Sequence, residues 1–268
     1  MDFNSISNRI ENSKPLDFGN IFSRSIELFK EVWLQGFITL LFTFITILPI
    51  VIVFYIPMIG IAIFDQGSLD RDAPPILLTL SMIILIPILV LCLMMISMAL
   101  SAAFLRICRL KDLKEDGADD YFYYFKKPYR KKLFMLSLIM LCFSLLIIIT
   151  CGLAAIYLVV PISLFPAFLA FDKELSAVEI VKASFTLGNK NWLVIFGLVI
   201  VAGLVAELGI IACGIGILFT ASLAKIPPYF MYKDAILGDA NLSEKKIEST
   251  EDRLNNLLSS SSKDQDLE

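Results

Sequence analysis

The chain has 268 residues, 57% of them apolar and 18% charged, against roughly 25% charged in an ordinary soluble domain. Mean hydropathy is +0.78, and the net charge of −3 matters less than where the 23 cations fall. There is no histidine, which removes the commonest general base and metal ligand and excludes histidine-ligated zinc, haem or non-haem iron chemistry.

Residues 1–32 are polar and of mixed charge, with no short apolar core before a small-residue cleavage site, so no removable signal peptide is expected. An amphipathic helix is predicted there, capped by Asp17, with Asn20, Arg24, Glu27 and Glu31 on its polar face. Two nearly uncharged blocks follow, Trp33 to Phe64 and Pro75 to Leu105. At roughly 46–48 Å as helices, each suits one long crossing, tilted or bent at Pro49, Pro57 or Pro87.

Two further blocks are too long for one crossing. Leu133 to Phe171 would make a helix of about 58 Å and Trp192 to Tyr232 one of about 62 Å, each about twice the roughly 30 Å hydrocarbon core. Both are therefore predicted to be helical hairpins. A matching phrase sits near the middle of each, Ile148-Ile149-Thr150-Cys151-Gly152 and Ile210-Ile211-Ala212-Cys213-Gly214, whose glycines can take the left-handed conformation that ends a helix.

Six crossings result. With both termini cytoplasmic, every cation except Arg71 and Lys225 lies on the cytoplasmic side, in keeping with the positive-inside rule. The expected architecture is an all-α polytopic membrane bundle with interfacial amphipathic helices. It divides into 1–32, a cytoplasmic N-terminal segment; 33–234, the six-helix transmembrane domain; and 235–268, a largely disordered cytoplasmic tail. In that tail Ile247, Leu254 and Leu258 are spaced for a short partner-contacting helix.

An internal repeat organises the chain. Shifting it by 159 positions places Asp17–Phe37 on Ser176–Phe196, with identities at Ile21/Ile180, Ser25/Ser184, Leu28/Leu187, Trp33/Trp192, Leu34/Leu193 and Phe37/Phe196. The second copy opens with a capping-box pattern, Ser176 with Glu179, and its polar face holds Glu179, Lys182, Thr186 and Lys190. Such helices can lie in the interface plane with Trp33 and Trp192 at headgroup level, either sensing lipid or bracing the bundle. A third surface module, Tyr121-Phe122-Tyr123-Tyr124-Phe125 followed by Lys126, Lys127, Arg130, Lys131 and Lys132, reads first as a topology-setting charge cluster with an aromatic belt and, as the alternative, as a site for anionic headgroups.

The residues that carry the repeat also carry a likeness. Phe165-Pro166-Ala167, Phe171-Asp172, Ser176-Ala177-Val178-Glu179, Ala183-Ser184-Phe185-Thr186-Leu187, Asn191-Trp192, Cys213-Gly214-Ile215-Gly216 and Tyr232-Lys233-Asp234 resemble the bacterial YciC-like membrane proteins and the membrane domain of some glycerophosphodiester phosphodiesterases. The resemblance covers most of the chain and is densest from Pro161 to Asp234. It implies a six-helix bacterial inner-membrane protein and supplies no catalytic residues.

No catalytic, cofactor or metal site is expected. Five cysteines form no CxxC pair; Cys151 and Cys213 fall at the two outer turns, as a disulfide or as small turn-packing residues. Glu207 and Lys225 are the two intramembrane charges, and with Ser222 they make a candidate polar site. Lys225 can snorkel to the cytoplasmic interface and Glu207 can reach outer water; alternatively Pro227-Pro228 opens a polar pocket around Lys225, Ser222 and Thr220. Ser222 and Lys225 have the spacing of a serine–lysine hydrolase but no nucleophile elbow or oxyanion signature accompanies them. The candidate lipid-interface residues are Trp33, Lys126, Lys127, Arg130 and Trp192. The expected partners are membrane lipids, anionic ones included, and a second copy of the chain, not nucleic acid. The expected role is envelope or lipid organisation, with a small transporter or lipid-handling protein as the alternative.

Overall fold

The computed structural model describes residues 2–64, 76–211 and 220–238, and among these the chain is all-helical. In order come α1 Phe3–Asn12, α2 Phe18–Phe64, α3 Ile76–Asp112, α4 Lys127–Ile149, α5 Leu153–Phe171, α6 Ala177–Lys190, α7 Trp192–Ile211 and α8 Pro227–Tyr232. Short 3₁₀ turns at Tyr123–Phe125 and Leu223–Lys225 precede α4 and α8, and a π-helical turn Lys233–Leu237 follows α8. Helices α2, α3, α4 and α5 are each long and apolar enough to cross a membrane, and α6 with α7, bent by 96°, would count as a fifth span.

Helices α2 and α3 form a long antiparallel pair. Arg24, Glu27 and Glu31 share one cleft with Lys111, Asp112 and Lys114, while further along Ile47 lies beside Leu93 and Met94. Side chains on the far half of this pair point outward, Phe44, Leu48, Ile83 and Ile84 among them. So much exposed apolar surface is unfavourable in water and natural against lipid.

The first long block is a hairpin, turning where its Cys-Gly phrase predicts. Cys151 (φ 51°) and Gly152 (φ 88°) are both left-handed. The Gly152 N–H donates to Ile147 O at 2.8 Å and the Cys151 N–H to Ile148 O at 3.1 Å, a Schellman closure of α4. Cys151 is an exposed free thiol. Of the second phrase, Ala212, Cys213 and Gly214 lie outside the described residues, as do the loop around Arg71 and the tail with Ile247, Leu254 and Leu258.

Both predicted caps of the repeat are present. Asp17 Oδ1 accepts the Asn20 N–H at 2.7 Å; Ser176 Oγ accepts the Glu179 N–H while the Glu179 carboxylate accepts the Ser176 N–H, a reciprocal box. Beyond the caps the copies differ. In the first, the amphipathic segment is not a separate in-plane helix: α2 continues through Trp33 to Phe64. In the second, the helix stops at Lys190, Asn191 takes φ −125°, ψ 32°, and α7 leaves at 96°.

The N-terminal segment contains a second helix, α1, ahead of the predicted amphipathic one. Asp2 accepts the Phe3 N–H to start α1, and Ile6 and Ile10 are fully buried against the main core. After α7 the described chain resumes at Thr220, whose hydroxyl donates to Ala206 O at 2.6 Å, so it runs back beside α7. Pro227 and Pro228 open α8, where a missing N–H leaves no bond unmade. This limb is a series of short turns, not one straight helix.

Candidate functional site

The sequence-predicted polar site is only partly assembled. Glu207 is exposed on α7, Lys225 is half-buried in the 3₁₀ turn, and Ser222 is buried. Among the described residues no ion pair joins Glu207 to Lys225. Ser222 sits against α2: a Cβ added at Gly36 would lie 2.3 Å from Ser222 Cβ and 2.5 Å from its Oγ. Gly36 therefore allows the return limb to approach α2, a small-residue contact of the kind that packs helices in lipid.

The candidate interface residues are spread over the surface. Trp33 is 42% exposed, and Trp192 stacks on Phe196 with ring centroids 4.7 Å apart. Lys126 is already committed: its ammonium is 2.6 Å from Asp120 Oδ2 and 5.0 Å from the Tyr123 ring centroid. That hydrogen bond holds the Asp120 carboxyl below the usual carboxylate range. Lys127, Arg130 and Lys131 are exposed, and Arg130 Nε donates to Phe125 O.

Sequence reasoning missed the densest polar assembly, where α3, α5 and α8 end. Asp112 accepts hydrogen bonds from the Tyr229 hydroxyl and the Lys233 ammonium. Arg24 Nη1 donates to both oxygens of Asp234 at 2.9 Å, its guanidinium lying 4.3 Å from the Phe230 ring centroid. Lys132 donates to the carbonyls of Asp172 and Lys173, neutralising the C-terminus of α5.

Beside these satisfied groups is an unsatisfied one. A cleft of about 240 Å³ is lined by Arg109, Phe171, Asp172, Tyr229, Tyr232 and Leu237. Asp172 is 3% exposed, yet its Oδ2 has no hydrogen-bond partner, and neither has the buried Nε of Arg109. Burial pushes the Asp172 carboxyl above its ordinary range, and the neighbouring Tyr232 hydroxyl and Lys132 ammonium only partly oppose that. The walls are aromatic: Phe171 and Tyr232 rings are 4.9 Å apart and Phe171 and Tyr229 5.7 Å.

Phe171-Asp172 and Tyr232-Lys233-Asp234 both stand out in the sequence as phrases, but nothing in it brings them together with Arg109 and Asp112. The one available signal was ionisable residues at the ends of apolar runs. No family model, curated protein or solved structure matches the chain.

Proposed function

We propose that the chain is a non-enzymatic, multi-pass protein of a bacterial cytoplasmic membrane, of the YciC-like kind. In this reading it crosses six times with both termini inside and acts in lipid or envelope organisation. The observation that carries it is at the start of α4. Lys127, Arg130 and Lys131 are exposed immediately before Phe134, Met135 and Leu138, which are exposed too. Cations directly below an outward-facing apolar helix suit anionic headgroups, each contributing about 1 kcal/mol.

The test is binding to vesicles with and without anionic lipid, using the protein reconstituted from mild detergent. Changing Lys127, Arg130 and Lys131 together to Gln should weaken retention of anionic lipid by about a hundredfold, from ~1 kcal/mol per charge. Lys126→Gln should matter much less, because Asp120 already neutralises that cation. Unchanged anionic lipid content in the triple variant would sink the reading.

The broken return limb supports a second reading, a small transporter or lipid-handling protein. Between Ser222 and Pro227 the chain leaves α-helical pairing, as discontinuous transporter helices do around a site. Lys225→Ala and Glu207→Ala should then abolish transport at normal abundance; tolerance of both removes it.

A further inference from the structure

Outside the residues considered above for lipid contact, the cleft between α3, α5 and α8 has the features of a built binding site. It presents one cation and one carboxylate that are not paired with each other: Arg109 Nη2 lies 3.6 Å from Glu115, and among the described residues Asp172 forms no ion pair. Each also keeps a buried polar atom without a hydrogen bond. Their neighbours Asp112, Tyr229 and Lys233 are satisfied among themselves, so these two groups alone in the lining have polar atoms left over. A buried polar atom without a partner is an unfavourable arrangement that a ligand can relieve.

The lining selects the ligand. A guanidinium favours phosphate oxygens. A carboxylate accepts N–H hydrogen bonds, and the faces of Phe171, Tyr229 and Tyr232 around it favour a cation. A primary ammonium satisfies both demands, whereas a quaternary one has no N–H to give Asp172. Position narrows the choice further: Arg109 is in the last turn of the apolar helix α3 and Asp172 is the C-cap of the apolar helix α5, the depth at which headgroups lie. The cleft, at about 240 Å³, is smaller than the roughly 300–1,000 Å³ of pockets for drug-sized molecules. A headgroup fits it better than a whole lipid.

We propose that this cleft binds a phosphodiester bearing a primary ammonium, a phosphoethanolamine-type group, with Arg109 on the phosphate and Asp172 on the ammonium. The proposal rests on the membrane reading but not on the cation cluster of α4, so the two can fail separately. Asp172 is then the selector of the amine, and Arg109 the anchor for any phosphate.

The test is native mass spectrometry of the full chain in mild detergent, with phosphatidylethanolamine, phosphatidylcholine and phosphatidylglycerol added in equal amounts. Wild-type protein should retain the ethanolamine lipid at least tenfold over the choline lipid. Asp172→Asn should abolish that preference while still retaining phospholipid; Arg109→Gln should lower retention of both. Asp172→Asn removes a buried carboxylate that burial disfavours, so it is expected to fold at least as well as wild type, checked by its melting temperature. A second arm adds soluble glycerophosphoethanolamine to lipid-depleted protein. A rise in melting temperature there, lost in Asp172→Asn, with no ethanolamine-lipid preference in the first arm, assigns the same chemistry to a soluble ligand. Equal retention of the three lipids with no response to the soluble compound overturns the proposal, as does an unchanged ethanolamine-to-choline ratio in Asp172→Asn. No ethanolamine preference in wild-type protein and no response to the soluble compound, with anionic binding intact, refutes the cleft alone. Loss of anionic binding on neutralising Lys127, Arg130 and Lys131, with the preference intact, leaves it standing.

Discussion

Two copies of one sequence pattern lie 159 positions apart and fold differently in an instructive way. Their shared residues play the same part: Ile21 and Ile180, Ser25 and Ser184, Leu28 and Leu187 are all buried, making one core stripe in each copy. They diverge just before the shared tryptophan. The first copy reads Phe29-Lys30-Glu31-Val32 and continues as α2; the second reads Gly188-Asn189-Lys190-Asn191 and breaks. Glycine and asparagine are poor in helix interiors, and asparagine also offers a side chain to the backbone. Here Asn191 Oδ1 accepts the Leu16 N–H at 3.1 Å. Gly188 brings α6 onto α5, since a Cβ there would be 3.3 Å from Val160 Cγ1. The core stripe sets what each copy buries, and four junction residues set the direction of the chain beyond it.

The sharpest way to break this comparison is to exchange residues just past the tryptophans. Gly36 corresponds to Ile195, which is fully buried. Gly36→Ala should destabilise by about 1–3 kcal/mol or more through overpacking against Ser222. Gly36→Ile should leave no folded monodisperse protein in detergent, judged by size-exclusion profile. Adding Ser222→Gly to Gly36→Ala should recover part of the lost melting temperature; if it recovers none, the contact is not the cause.

Exchanging the junction should give asymmetric costs. Val32 is fully buried, so Val32→Asn buries an amide without a partner and should cost about 1–3 kcal/mol. Asn191→Val deprives the Leu16 N–H of its acceptor but also removes an Nδ2 that has no partner, so it should cost less. Equal losses of thermal stability would contradict this account of the break.

How much of this was legible beforehand follows from the range of the forces involved. The helical membrane class, both caps and the Cys151-Gly152 turn depend on residues within a few positions of one another, and each was readable. The continuity of α2 was readable in principle, since no glycine or asparagine interrupts Phe29 to Val32; the shared pattern around it suggested equal structures instead. The Arg109–Asp172 cleft was not readable. Its lining comes from segments more than fifty positions apart, and the sequence shows neither their convergence nor that the two groups are not paired with each other. Helix α1 is not legible because its apolar side is only Phe3, Ile6 and Ile10, given meaning by the surface they bury against.

A smaller difference between the copies lies in their final polar residue. Lys190 donates to the carbonyls of Ile10 and Glu11 at 2.6 and 2.9 Å and also to Ser13, so it closes the C-terminus of α1. Its counterpart Glu31 is exposed. Lys190→Met should cost about 1–2 kcal/mol, the upper range for a cation at a helix C-terminus, and should speed hydrogen exchange of α1 amides. Glu31→Gln should stay within about 0.5 kcal/mol, as exposed substitutions usually do. Unchanged exchange in α1 on losing Lys190 would show that Ile6 and Ile10 hold the helix unaided.

The finest distinction is between the caps. At the third helical position the first copy has Asn20, which does not titrate, while the second has Glu179, whose pKa is lowered by its hydrogen bond from the Ser176 hydroxyl. A carboxylate with a depressed folded pKa adds stability that is fully present above its unfolded pKa, about 4.3, and is lost as pH falls through the folded value. Between pH 5 and pH 3 the first-turn amides of α6 should therefore lose protection through a route closed to the corresponding turn of α2. Glu179→Gln keeps an acceptor for the Ser176 N–H but removes the titration, so this variant should abolish the pH dependence from that route while leaving the box in place. If α6 loosens equally in acid with Gln at 179, the capping carboxylate is not what sets the difference between the copies.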